Sequence, residues 1–323
     1  MPFIIGTDEA GYGPNLGPLV IGATLWEVPD SSTCLYSELS DVICKSEDFS
    51  ATVCPEKIPI GDSKTLYQSR GSLAKLERAV LAMLELTTTV PTNVPELIQC
   101  ISAPPQPSLD EKNTYHWDNL HLPVKANRDE LAELGPRLKA TLNQRGIHFH
   151  RMAVSVIFPE EFNRGLNACG NKANLLSSIT CQLAKFLIEN NVPATENVEI
   201  LFDKHGGRAR YAGCLQQEMT GSFIHVIDEG RLASHYQWQE GERHLEAKFM
   251  AKGERHMPIG LASMVAKYVR ELCMGAWNSF WCDQLPGLKP TAGYPQDARR
   301  FKQDIASLQG TLKVEDRLIW RTK

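Results

Sequence analysis

Phe3 to Ala23 reads FIIGTDEAGYGPNLGPLVIGA. An apolar run, Phe3-Ile4-Ile5, leads into the acidic pair Asp8-Glu9; glycines follow at Gly11, Gly13, Gly17 and Gly22, and a second apolar run, Leu19-Val20-Ile21, closes the unit. This is the pattern of two strands joined by a glycine turn. Side chains alternate faces along a strand, so Asp8 and Glu9 point to opposite sides unless the chain is already leaving the sheet. An acid at a strand end, beside glycines, can hold a divalent cation while backbone N–H groups approach a phosphate or sugar. Taken alone, the acidic pair reads as a solvated turn.

The 323 residues suffice for one large α/β domain with insertions, and 42% hydrophobic with 22% charged residues is an ordinary globular composition. No stretch approaches the ~20 apolar residues of a membrane helix, and Met1 leads into strand-like sequence without a basic leader, so a cytoplasmic protein is expected. Nine scattered cysteines with no C-x-x-C pair argue against a disulfide framework or structural zinc and for reduced thiols. A net charge of −4 and a pI near 6.2 lack the basic signature of a nucleic-acid binder. Charge does not exclude a metal nuclease, whose acids count against it and whose cations restore positive potential at the phosphate.

Along the chain, Leu25 to Pro59 predicts a third strand and then a surface excursion. Gly61-Asp62-Ser63-Lys64-Thr65-Leu66 opens a helical run from Arg70 to Leu86, with Leu73, Leu76, Val80, Met83 and Leu84 on one face. Asp62 or Ser63 can serve there as a plain helix cap. Thr87 to Asn127, interrupted by Pro91, Pro95, Pro104, Pro105 and Pro107, shows no sustained period and reads as an insertion. Arg128 to Arg145 predicts a helix broken or kinked at Gly135-Pro136 and stopped at Gly146. Phe149 to Phe158 predicts a strand, Pro159 opens a helical stretch, and Asn174 to Ile188 carries an amphipathic face.

Val198 to Phe202 is a strand ending in Asp203, which repeats the setting of Asp8, although an Asp at a strand end is in itself an ordinary turn former. Phe223 to Asp228 is a further strand candidate. Ala251 to Glu271 contains a helix through Leu261 and Tyr268, and Gly293-Tyr294-Pro295 precedes a polar helix from Asp297 to Leu308 and a last strand or turn with Arg317 and Trp320. His235, His244 and His256 are spaced too irregularly for a metal cluster and read as surface histidines.

GTDEAGYGPNLGPLVIGA resembles the opening signature of the type 2 and type 3 ribonucleases H, with Gly11-Tyr12-Gly13 where type 2 enzymes have Gly-Arg-Gly. Gly61-Asp62-Ser63-Lys64-Thr65-Leu66 resembles their Asp-Ser-Lys-Lys-Leu motif. Asp203 stands where the family has its third catalytic Asp, with Lys204-His205 in place of the expected glycine. AKGERHMPIGLASMVAKYVRE is similar to the family's Lys-Gly-Asp or Lys-x-Glu ahead of an Ala-Ser helix, with Glu254 in the acid position and Glu271 as a competing candidate. Gly293-Tyr294-Pro295 resembles the family's Gly-Tyr turn. FPEEFNRGLNACGNKANLLSSI is loosely similar to a proline-glutamate motif ahead of a long helix. The motifs run in family order and lapse at Thr87 to Arg145 and Arg208 to Ala247, which implies a single ribonuclease H-like domain over 1–323 with insertions at about 87–145 and 208–247. The N-terminal substrate-binding domain of type 3 enzymes is expected to be absent.

The resemblance implies an α/β fold: a mixed five-stranded sheet with helices on both faces, on which Asp8, Glu9, Asp203 and Glu254 act as catalytic acids and ligands of two Mg²⁺ or Mn²⁺ ions. Hard oxygen donors without a Cys/His cluster favour these cations over zinc. It further implies backbone groups of Gly11, Tyr12 and Gly13 at a ribose 2′-OH, Lys64 and Lys204 at phosphates, and Tyr294 against the sugar at an RNA–DNA junction. The expected substrate is an RNA/DNA hybrid or a DNA duplex containing ribonucleotides, with no membrane and no obligate protein partner. A non-catalytic nucleic-acid-binding descendant of the fold is the alternative, resting on Tyr12, the residues after Asp203 and the acidic pI. A junction resolvase is disfavoured by the Asp-Ser-Lys and Gly-Tyr-Pro matches.

Overall fold

Strand β1 (Phe3–Ala10) is hydrogen-bonded along both edges, so its apolar residues are buried on both faces. The computed structural model of the chain describes residues 1–49, 56–67, 73–106, 108–117, 120–219 and 223–322. Cys54, Arg70 and Pro107 lie outside them. On one side of β1, β2 (Leu19–Glu27) runs antiparallel with Asp8 opposite Gly22. Leu25–Glu27 is thus the end of the second strand, and the strands described between it and Pro59 are short β3 (Ile43–Lys45) and the start of β4 (Ile58–Ile60), paired in a small parallel sheet of their own. The third strand of the main sheet is β5 (His148–Ile157), antiparallel to β2.

On the other side of β1 lies β6 (Val198–Asp203), parallel to it with Thr7 opposite Phe202. Beyond β6 come a hairpin of β7 (His225–Glu229) and β8 (Ala233–Glu240), then β9 (Arg243–Met250), which pairs parallel with β6 and antiparallel with β8. The order is β5-β2-β1-β6-β9-β8-β7. The expected five-stranded mixed sheet is therefore extended to seven strands, because the β7–β8 hairpin adds to the β9 edge. The insertion expected at 208–247 supplies that hairpin and also takes in the start of β9.

The helices are α1 (Leu35–Glu38), α2 (Ser63–Leu66), α3 (Ala74–Leu84), α4 (Val94–Ile101), α5 (Leu109–Tyr115), α6 (Arg128–Gln144), α7 (Pro159–Cys169), α8 (Lys172–Asn191), α9 (Ala212–Glu218), α10 (Met257–Gln284), α11 (Pro295–Leu312) and α12 (Asp316–Ile319). Pro136 sits inside α6 without breaking it, and the tail expected as a strand or turn is α12. Among the described residues no helix is long and apolar enough to cross a membrane.

Helices cover both faces of the sheet, as expected. Ile5, Ile21, Ile200 and Phe202 pack with Leu176, Leu183 and Leu187 of α8, whereas Ile4 and Val20 pack with Ile259, Leu261 and Val265 of α10. The contact with α10 is backbone to backbone: a Cβ on Gly6 would overlap the carbonyl carbon of Pro258, and one on Gly22 the carbonyl oxygen of Ala262. Thr24 Oγ1 donates to the Pro258 carbonyl at 2.8 Å beside this contact.

Thr87 to Asn127, where the prolines hide any sustained period, carries α4 and α5. Pro95 stands in the first turn of α4, where a missing N–H costs nothing, and Asn93 caps that helix by accepting from Glu96 N at 2.9 Å. Leu97, Ile101, Tyr115 and Leu122 are fully buried. Glu77 of α3, itself buried, locks the segment down. It accepts from the N–H groups of Val124, Lys125 and Ala126 at 2.6–2.7 Å and from Tyr268 Oη of α10 at 2.7 Å. Glu77→Ala leaves the buried Tyr268 hydroxyl and three partly buried backbone N–H groups without their acceptor and should cost about 1–3 kcal/mol of unfolding free energy. Equilibrium urea unfolding measures this, and a midpoint within error of wild type would show that the clamp carries no load.

Candidate active site

The parallel pairing of β1 with β6 and of β6 with β9 brings the C-terminal ends of three strands to one edge. Asp8 and Glu9 lie near the end of β1, and Asp203 is the last residue of β6, one step beyond the Thr7–Phe202 pair. By the pleat, Asp8 shares the face of Gly6, under α10, and Glu9 takes the other. After β9 the backbone turns through Lys252 in the left-handed region (φ 59) into a 3₁₀ turn, Gly253–Arg255, that carries Glu254. Gly253 N donates to Asp203 Oδ1 at 2.8 Å, fixing this turn against the end of β6.

These acids raise one another's proton affinity. Burial, then the charges of Glu9 and Asp203, hold the Asp8 carboxyl well above the usual carboxylate range, against bonds from the Ser263 hydroxyl and from Glu9 N at 2.7 Å. Glu9 is pushed up to about 7, by burial first and Asp203 second, with Lys64 opposing. Asp203 is raised by burial and by Glu254, against the Gly253 N–H and Lys64. Asp8, Glu9 and Asp203 thus lie within one another's fields, Glu254 acts on Asp203, and the exposed Lys64 is a cation facing Glu9 and Asp203. Among the described residues, no three His, Cys, Asp or Glu side chains stand close enough together to hold a metal ion as they are.

Asp62 does cap a helix: its Oδ1 accepts from Lys64 N at 2.9 Å. Ser63, the middle residue of the motif, turns inward, and its Oγ meets Ser263 Oγ of α10 at 3.0 Å in a buried contact. Because Ser263 also bonds Asp8, the segment bearing Lys64 is tied to the acidic edge through a residue that the sequence reading placed on the Ala-Ser helix without a role at the site. The available signal was a hydroxyl on a helix stretch that is otherwise apolar, Leu261 to Ala266.

The glycine turn after Glu9 meets the Gly-Tyr-Pro turn near the C-terminus. Asn15 N and Leu16 N donate to the Gly293 carbonyl at 2.8 and 3.2 Å. Gly293 has φ +83, and a side chain there would strike the Leu16 carbonyl, so glycine is required on both counts. Tyr294 is 56% exposed, and its ring lies 3.7 Å from where a Gly13 Cβ would stand. Tyr12 is half-buried close to Glu9, and burial, then the Glu9 charge, raises its phenol. Tyr12 thus lies near Glu9, and Tyr294 lies beside Gly13 of the same glycine turn.

One expected assignment does not survive. Lys204 is buried and turned away from solvent: its Nζ donates to the Gly230 carbonyl at 2.6 Å and to Ser234 Oγ at 3.2 Å, so it is not available to a phosphate. Its neighbour His205 is buried against Ser177 Oγ at 2.9 Å, and burial drops its imidazole to about 3. Together they fasten the β7–β8 hairpin and α8 to the end of β6. Glu271, the rival fourth acid, accepts from Tyr67 Oη at 2.8 Å and from Lys267 Nζ at 2.6 Å.

No family model matches this sequence, and no curated protein matches it. Among solved structures the chain is similar to the ribonuclease H2 from Pyrococcus horikoshii OT3, at 13% identity and TM-score 0.46, with 98% of this chain and 92% of that one covered. It is similar to the RNase HII of Archaeoglobus fulgidus, solved as a complex with PCNA, at 14% identity and TM-score 0.45, covering 99% and 94%. It is also similar to Aquifex aeolicus RNase H3, at 11% identity and TM-score 0.41, covering 98% and 70%.

Glu9 keeps its proton to higher pH in the folded chain than the ordinary 4.5 of an unfolded one. Its contribution to stability is therefore complete below about 4.5 and is lost as pH rises to about 7 in the metal-free protein. Asp203→Asn removes the second-largest cause, so the Glu9 midpoint should fall and the loss of stability toward neutral pH should flatten. Carboxyl ¹³C NMR titration reads the midpoint directly; an unmoved Glu9 would mean that the two acids are not coupled.

Proposed function

We propose that this chain is a divalent-metal-dependent ribonuclease H. It would cleave, as an endonuclease, the RNA strand of RNA/DNA hybrids or ribonucleotides embedded in duplex DNA. The observation that carries this reading is the grouping of Asp8, Glu9 and Asp203 at the ends of adjacent parallel strands, with Glu254 held beside them. Carboxylates so crowded repel one another unless cations intervene. Their hard oxygen donors suit Mg²⁺ or Mn²⁺, and we assign Asp8, Glu9, Asp203 and Glu254 as both ligands and catalytic acids. When bound, such a cation pair supplies an activated water and offsets charge on the departing 3′ oxygen.

The chain's own groups would do the rest. Lys64, exposed and opposing the charges of Glu9 and Asp203, holds a phosphate next to the acids. Backbone groups of Gly11, Tyr12 and Gly13 approach the 2′-OH, the group that marks a ribonucleotide locally. Tyr294, beside Gly13 and exposed, packs against the neighbouring sugar.

The test is Asp8→Asn, assayed on labelled duplexes carrying either one ribonucleotide or an RNA tract, with Mg²⁺ and Mn²⁺ compared. Cleavage should fall by ~10²-fold or more, since even supporting groups around a metal are worth 10–100-fold, while the circular dichroism spectrum stays that of the parent. Cleavage near the parent rate would sink the assignment. A second reading, a non-catalytic nucleic-acid binder, rests on Tyr12 in place of arginine, Lys204-His205 after Asp203 and the acidic pI near 6.2. Calorimetry with Mg²⁺ separates the two, because the catalytic reading requires binding.

Glu254→Gln should remove far more activity than Glu271→Gln. Glu271 is occupied by Tyr67 and Lys267, so its replacement should cost about 0.5–1.5 kcal/mol of stability and leave turnover close to wild type. Paired kinetics and thermal melts of the two variants decide between them, and the reverse order of losses would move the fourth acid to Glu271.

Tyr294→Ala should depress cleavage at an RNA–DNA junction more than within a continuous RNA tract, because only the junction presents a sugar without its 2′-OH to the ring. More than half of Tyr294 is exposed, so the substitution should leave the fold intact. Equal losses on both substrates would reduce Tyr294 to a general contact and shift the preferred substrate toward hybrids.

A further inference from the structure

Helices α8 and α9 touch through two cysteines that the proposed mechanism does not use. Cys181 of α8 is fully buried, and its Sγ stands 3.9 Å from Sγ of Cys214 on α9. Cys214 is partly exposed and lines a pocket of about 450 Å³ together with Cys169, Asn174, Ser178, Arg208 and Glu218. No disulfide joins any of the described cysteines.

The two sulfurs are unequal. The sulfur contact with Cys181, aided by the nearby Arg208 guanidinium, holds the Cys214 thiol below its ordinary range although burial opposes it. The same contact, with burial, holds Cys181 well above that range. The pair therefore consists of a thiolate-prone sulfur facing a pocket and a protonated sulfur in contact behind it, the arrangement of an attacking and a resolving thiol.

We propose that Cys214 and Cys181 form an oxidisable dithiol, a modification site for hydrogen peroxide. The Cys214 thiolate attacks one peroxide oxygen; an S–O bond forms, the O–O bond breaks, and hydroxide leaves, so that sulfur is oxidised to the sulfenic acid by two electrons. Cys181 then gives up its proton and attacks the Cys214 sulfur; the S–S bond forms, the S–O bond breaks, and water leaves. In sum, two thiols and one peroxide give one disulfide and two waters. The cross-link joins positions 33 residues apart and ties the segment after Asp203 to α8.

The experiment treats the full-length chain with hydrogen peroxide, then labels remaining thiols under denaturing conditions and reads each cysteine by peptide mass spectrometry. Labelling at Cys181 and Cys214 should be lost together and in equal proportion, with a cross-linked Cys181–Cys214 peptide appearing, and dithiothreitol should restore both. Cys214→Ser should abolish the loss at Cys181, and Cys169→Ser should leave the pair's behaviour unchanged. The proposal is overturned if Cys214 pairs with Cys169, if Cys214 goes to sulfinic or sulfonic acid that dithiothreitol does not reverse, or if both sulfurs stay labelled. The wild-type measurement decides the matter even if a buried variant fails to fold.

Discussion

The acidic edge depends on one constraint, the parallel register of β1 with β6. Thr7 opposite Phe202 sets Asp203 beside Asp8. Were the pairing antiparallel, Asp203 would end at the opposite edge of the sheet; were it shifted by a single residue, its carboxylate would turn to the other face. β9 repeats the constraint, since its parallel pairing with β6 ends at Asp203 opposite Met250, four residues before Glu254. Parallel neighbours need long crossovers: α7 and α8 lead into β6, α9 and the β7–β8 hairpin lead from β6 to β9, and α10, which follows the last strand, covers the other face. Gly6 and Gly22 let α10 lie directly on β1 and β2, which is what puts Ser263 within reach of Asp8. The same contact that completes the core thus holds the first acid.

Gathering these acids works against stability. Burial and mutual repulsion raise Asp8, Glu9 and Asp203, so the folded chain in its metal-free state resists their ionisation. The offsetting groups are few and local: the Ser263 hydroxyl, the Glu9 and Gly253 N–H groups and the Lys64 ammonium. They hold the carboxylates in place without neutralising them. On the function proposed, the remaining repulsion is relieved when cations bind, so part of the binding free energy is prepared in the fold. A structural cluster of ion pairs would look different, as the Glu199–Lys248–Glu246 ladder on the same sheet does, where each acid has a cation at 2.8–3.0 Å.

Much of this was legible in the sequence because strand ends and acids coincide there. An apolar run closing on Asp8 and another closing on Asp203 are short-range signals, and both strands form within a residue or two of their expected limits. The α4–α5 segment was illegible for a physical reason: Pro95 begins a helix and does not break one, and the end of the segment is held by Glu77, a residue distant in sequence that accepts three hydrogen bonds from its backbone. Leu25–Glu27 misled because strand-like residues do not say whether they begin a strand or end one. The role of Ser263 was missed because a hydroxyl in an apolar helix carries no sign of what it faces until the helix has been docked.

The departures from the ribonuclease H pattern then separate into two kinds. Lys204-His205 in place of glycine is architectural. The added β7–β8 hairpin brings the Gly230 carbonyl and Ser234 against the end of β6, and the Lys204 ammonium bonds both, so glycine there would leave a hairpin unfastened next to Asp203. Tyr12 in place of arginine is electrostatic. Arg270, packed under the same turn, cannot substitute, since it is buried and donates to the Ala292 carbonyl at 3.0 Å. The cation opposing Glu9 and Asp203 is Lys64, carried on a segment that Ser63 anchors to Ser263. On the proposed function, phosphate holding that an arginine would share therefore falls to Lys64, and the Ser63–Ser263–Asp8 chain keeps that lysine in register with the acids it serves.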